Sequence, residues 1–107
     1  MPFESLNEIK DQELIPGFTG RLIHTDKVTI AHFKIKAGSI LPEHHHIHDQ
    51  VSNVVEGEFE MNVGGITQRL KPGSIAVIPS NTSHSGKAIT DCYIIDVFCP
   101  LREDYKV

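Results

Sequence analysis

From Arg21 onward the chain is a series of short apolar runs separated by turn residues, some alternating with a period of two, the repeat of a strand with one covered face and one wet face. The segment Glu58-Phe59-Glu60-Met61-Asn62-Val63 shows it most fully, with Phe59, Met61 and Val63 on one side and polar residues on the other. Val28 to Ile35 forms the first clear strand, ended by Ala37-Gly38, and further runs cover Val51 to Val55, Ile66 to Leu70, Ser74 to Ile78 and Cys92 to Phe98. Lys71-Pro72-Gly73 and Pro79-Ser80-Asn81 bracket Ser74 to Ile78, a run too short for a helix and rich in branched residues. Gly64-Gly65 supplies the positive φ angles of a two-residue turn, and Glu56-Gly57 joins two apolar runs, so both predict hairpins. Before Arg21 the pattern differs. Leu6, Ile9 and Leu14 recur at roughly helical spacing until Pro16-Gly17 closes the segment. The expectation is an all-β barrel over residues 21–107, preceded by an N-terminal arm or strand over residues 1–20.

With 107 residues there is room for one domain, and 39% hydrophobic content suffices for a modest core without disulfides. A net charge of −4 with scattered Lys and Arg leaves no basic patch, which argues against nucleic acid and toward a small-molecule ligand. Cys92 and Cys99 have neither a Cys-x-x-Cys nor a zinc-knuckle spacing and read as free thiols. Glu4, Glu8, Asp11 and Glu13 break up the first residues, so a signal peptide is not expected, nor is any stretch long enough for a membrane span. The expected location is the cytoplasm.

The seven histidines are unevenly placed: His44, His45, His46 and His48 fall together, and His84 follows about forty residues later. On an extended strand His44 and His46 share a face, His45 points away, Gln50 has the same parity, and a second strand can bring His84 opposite. Three imidazoles and an amide oxygen suit a divalent transition metal ion (nickel, zinc, iron, manganese or copper). His24 and His32, each alone on a strand, read as ordinary structural histidines, and His48 as an outer or solvent-facing group.

These residues lie in two motifs that resemble those of the cupins. The first reads Gly38, five residues, His44, one residue, His46, three residues, Gln50, six residues, Gly57, with glutamine where most cupins carry glutamate. The second reads Gly73, five residues, Pro79, four residues, His84, with Asn81 and Ala88 departing from the usual glycine and asparagine. The resemblance implies a single-domain cupin, a double-stranded β-helix or jelly-roll barrel. The tail Asp96-Val97-Phe98-Cys99-Pro100-Leu101-Arg102-Glu103-Asp104-Tyr105 is similar to the ending of the small single-domain cupins related to the pectin-degradation protein KdgF. That similarity implies linearisation of 4,5-unsaturated uronates, an acidic sugar as ligand, and Asp96, Phe98 and Arg102 in the active site.

The residues are consistent with that reading and leave others open. Four neutral ligands keep the full charge of the ion, which favours a carboxylate-bearing ligand and Lewis-acid chemistry. Asp96 and Phe98 share parity on one strand, and a carboxylate inside a barrel is costly unless paired or used. Asp96 is expected to move protons, Phe98 to pack on the sugar and Arg102 to grip its carboxylate. The alternatives are an Asp96–Arg102 ion pair and plain core packing for Phe98. A metal-dependent isomerase or lyase is the leading function class, with a metal-dependent dioxygenase and a non-catalytic sugar-binding or sensory barrel as alternatives. Single-domain cupins commonly pair, so a homodimer is expected.

Overall fold

The computed structural model describes residues 2–106. Ten strands run in chain order: β1 Gln12–Ile15, β2 Phe18–His24, β3 Thr29–Ile35, β4 Ile40–His44, β5 Asp49–Glu56, β6 Phe59–Val63, β7 Ile66–Leu70, β8 Ile75–Ile78, β9 His84–Ala88 and β10 Cys92–Cys99. They form a six-stranded sheet in the order β1-β2-β3-β10-β5-β8 and a four-stranded sheet in the order β4-β9-β6-β7. All the pairings are antiparallel. The all-β barrel follows, because two sheets with one apolar face each bury those faces against one another.

Alternation fixes which side chains meet inside. On β3, Thr29, Ala31, Phe33 and Ile35 are buried, and on β10, Cys92, Ile94, Asp96 and Phe98. Phe59 of the four-stranded sheet meets Phe18 of the six-stranded sheet edge to face at 6.3 Å, and Phe18 meets Phe33 at 6.4 Å. Gly86 on β9 makes this possible, since any Cβ there would strike the Phe59 ring.

Of the two connections expected as hairpins, one is found and one is not. Gly64-Gly65 does form a tight turn, with φ of 58° and 89° and Val63 paired to Ile66. Glu56-Gly57, expected as a hairpin, is instead a corner between sheets: β5 pairs with β10 and β8, and β6 with β7 and β9. Gly57 adopts φ 85°, and a Cβ there would run into the Asp91 carbonyl, so glycine is needed at the corner rather than at a hairpin tip.

The N-terminal segment holds both a turn and a strand. Its helical spacing yields only a short 3-10 turn at Leu6–Glu8. Pro16-Gly17 is the turn of a hairpin, with Gly17 at φ 85° and Ile15 opposite Phe18, so β1 and β2 add to the six-stranded sheet. The division expected between residues 20 and 21 falls inside β2. No helix among the described residues is long and apolar enough to cross a membrane.

Candidate metal centre and adjoining cavity

The histidines converge, but not from one strand. His44 ends β4, His46 lies in the link that follows, Gln50 is near the start of β5 and His84 opens β9 directly opposite His44. An irregularity in the β4–β9 register between Leu41 and His44 turns the chain there, so convergence comes from a strand end and a bend rather than from simple parity. The candidate ligand atoms of His44, His46 and His84 lie within 4.8 Å of one another. His45 is exposed, as expected.

Hydrogen bonds fix the tautomers. Nδ1 of His44 lies 2.7 Å from the Pro42 carbonyl, Nδ1 of His46 3.1 Å from the His48 carbonyl and Nδ1 of His84 2.9 Å from the Thr82 carbonyl. A carbonyl only accepts, so each Nδ1 carries the proton and each Nε2 presents a lone pair. Gln50 Nε2 donates to Ser52 Oγ at 3.0 Å, which turns Oε1 toward His46 Nε2 at 3.1 Å. Two lone pairs then face each other, an arrangement that a cation relieves. His84 Nε2 is buried with no hydrogen-bond partner among the described residues. Both features fit a bound divalent ion. Burial holds His84 neutral, with its pKa pushed down to about 4, and burial followed by the nearby Arg102 charge lowers that of His46.

Beside the histidines lies a cavity of about 350 Å³, whose polar wall includes Gln50, Ser52, Asp96 and Arg102. Asp96 is 8% exposed and stands across the β10–β5 pairing from Ser52. Burial pushes its carboxyl up to about 6, against the opposing pull of Ser52, Gln50 and Arg102. Its Oδ1 has no hydrogen-bond partner among the described residues. Phe98, opposite Gln50, meets the His46 ring edge to face at 5.8 Å.

The ion pair left open between Asp96 and Arg102 does not form. Arg102 donates instead to Asp104 through Nε at 2.9 Å and Nη2 at 2.7 Å, a bidentate pair made within the turn Glu103–Tyr105. Its guanidinium lies over the rings of Tyr105 and Phe98, 4.0 and 4.8 Å from their centroids. Among the described residues, Asp96 thus keeps a buried carboxyl without a cationic partner in hydrogen-bond contact.

His24 and His32 are satisfied locally, by Thr29 Oγ1 at 2.8 Å and the Tyr93 hydroxyl at 2.6 Å. Sequence reasoning missed Ser52, Tyr105 and the apolar wall that Leu14 and Ile15 of β1 contribute to the cavity. Ser52 could have been found from its parity with Gln50, and Tyr105 from its place as the aromatic of the tail motif.

The profile of the Cupin domain family matches residues 31–98. The pectin degradation protein KdgF of Dickeya dadantii (strain 3937) is 30% identical over 97 residues, 88% of each chain. The structure of KdgF from Halomonas sp. superposes with a TM-score of 0.92 at 33% identity, over 99% of both chains. An RmlC-like cupin from Shewanella frigidimarina NCIMB 400 gives a TM-score of 0.93 at 28% identity, over 99% of this chain and 96% of that one. With two sheets closed around a three-histidine centre and these relatives across nearly its whole length, the chain belongs to the cupin family and is similar to KdgF.

Proposed function

We propose that this protein is a metal-dependent isomerase or lyase-type cupin that linearises 4,5-unsaturated uronates from pectin or alginate breakdown. The observation that carries the reading is the placement of the histidine centre, the unpaired Asp96 carboxyl and Arg102 around one cavity. Similarity to a pectin degradation protein supports the same substrate class. His44, His46, Gln50 and His84 would hold the ion, which when bound supplies Lewis acidity toward a coordinated oxygen.

The chain's own groups account for the rest. Asp104 occupies the Nε–Nη2 edge of the Arg102 guanidinium, so Nη1 would be the group turned to the sugar carboxylate. Phe98 offers a ring face to the sugar. In linearisation the anomeric hydroxyl gives up its proton and the bond between C1 and the ring oxygen breaks. The resulting enol gives up its hydroxyl proton and gains one at C4, so the composition is unchanged. Asp96, buried and with its pKa raised to about 6, is suited to receive and return a proton.

Loss of the conjugated-alkene absorbance of 4,5-unsaturated galacturonate tests this. Asp96→Ala is expected to lower kcat by about a hundredfold or more, the usual contribution of a general acid or base. Arg102→Ala is expected to act mainly on KM. Unaltered kinetics in both variants would remove these residues from the reaction, and oxygen uptake or binding without turnover would select the oxygenase or sensory class instead.

A homodimer is part of the same proposal. On the outer face of the six-stranded sheet, Ile23, Ile30, Val97, Val51 and Val77 stand in one register row across five strands. Val77 is 67% exposed and Ile75 beside that row 61%, an apolar stripe suited to a second copy. Val77→Glu is expected to yield a monomer by sedimentation velocity; a monomeric parent protein would reject the pairing. The two free cysteines support a reducing, cytoplasmic setting.

A further inference from the structure

Arg102 is held at its backbone as well as at its side chain, and the backbone anchor lies outside every motif that pointed to the site. Its N–H donates to Thr29 Oγ1 at 2.8 Å, and the same oxygen lies 2.8 Å from His24 Nδ1. Thr29 is 0% exposed and stands in register between His24 on β2 and Phe98 on β10.

A threonine hydroxyl has one hydrogen to donate. With its oxygen accepting from Arg102, that hydrogen is free for His24 Nδ1, provided the ring is neutral and protonated at Nε2. Burial, with Lys106 adding to it and Glu103 opposing it, lowers the His24 pKa in that direction. Asp104 meanwhile fixes the guanidinium through two further bonds. The arginine is therefore pinned at both ends, although it sits on a tail that, among the described residues, contributes no strand beyond Cys99.

We propose that His24 and Thr29 form a relay that positions Arg102 for the substrate carboxylate, so that they set affinity for anionic ligands without touching either ligand or metal. This rests on the reading of Arg102 as the carboxylate-binding residue. Replacing Thr29 by the near-isosteric valine leaves a buried N–H at Arg102 unpaired and frees the tail to shift. Serine retains the hydroxyl. His24→Phe keeps a ring at a partly buried position and removes the acceptor nitrogen together with the Nε2–H.

The experiment compares Thr29→Val, Thr29→Ser and His24→Phe in the full metal-loaded chain. Kinetics on 4,5-unsaturated galacturonate, metal content and amide hydrogen exchange at Arg102 are measured for each. Thr29→Val should raise KM by about tenfold, the equivalent of one lost hydrogen bond, with kcat and metal content held. Its Arg102 amide should exchange faster, Thr29→Ser should restore both properties, and His24→Phe should move them the same way by less. Unchanged KM and exchange in Thr29→Val, or a serine variant as impaired as the valine one, would overturn the relay. Wild-type KM and exchange in His24→Phe would overturn its outer link. If Thr29→Val does not fold, Thr29→Ser and His24→Phe decide by the same criteria. If the parent protein does not turn over the uronate, the proposed function fails instead. The relay is then judged from amide exchange and from calorimetric binding of D-galacturonate.

Discussion

Glutamine at position 50 gives the centre its character. Ser52 fixes the amide so that a neutral oxygen, not a carboxylate, faces His46. Gln50→Glu adds one negative charge between the ion and the cavity. A competing-chelator titration should show tighter metal binding, while KM for the uronate should rise on the order of tenfold, since a unit charge at close range in a partly screened site is worth ~1 kcal/mol or more. Weaker metal binding together with an unchanged KM would contradict the electrostatic account. At this scale the histidine cluster was legible because four imidazoles close in sequence and a fifth in a second motif form an uncommon grouping. The partner of Arg102 was not legible, because Asp96 and Asp104 both lie near it along the chain and only the turn at Glu103–Tyr105 brings one into contact. Thr29 carried no signal, since its importance comes from burial and from cross-strand neighbours distant in sequence.

Among the elements, the corner at Gly57 tests how strictly the sheets are joined. Gly57→Ala places a Cβ in a left-handed conformation and against the Asp91 carbonyl. The expected loss is at least about 1–2 kcal/mol, the usual cost of that conformation for an L-residue, read from the denaturation midpoint in urea. A midpoint unchanged by the substitution would mean that the corner relaxes freely. The contrast with Gly64-Gly65 shows what local sequence conveys. Both glycine-containing turns read as hairpins, but whether a turn closes a hairpin or passes between sheets depends on which strands its neighbours choose as partners. β6 pairs with β7, which follows directly, whereas the partners of β5, β8 and β10, come much later in the chain. Pro16-Gly17 likewise read as a stop because the four-residue strand before it was too short to show its period.

For the whole molecule, alternation and turn chemistry were enough to identify an all-β barrel, and the paired motifs to identify its family; the division of ten strands into sheets of six and four needed the structure. Stability should also carry a pH signature of the barrel's burial of histidine. His32, bonded to Tyr93, has its pKa lowered from 6.5 by burial. The unfolded chain then takes the proton first, so this contribution is present in full above about pH 6.5 and is lost as pH falls from there through the lower folded value. His32→Gln should flatten that part of the stability-versus-pH curve, and a curve of unchanged slope would contradict it. The central claim is a barrel that turns over an unsaturated uronate only when its histidine centre holds an ion. The most direct test follows alkene absorbance with chelator-stripped protein before and after reloading with one equivalent of nickel, zinc, iron, manganese or copper. No protein-dependent loss is expected in the stripped chain, with recovery at one ion per chain. A stripped protein that keeps its full rate, or a loaded one that leaves the absorbance unchanged with every metal, would contradict it.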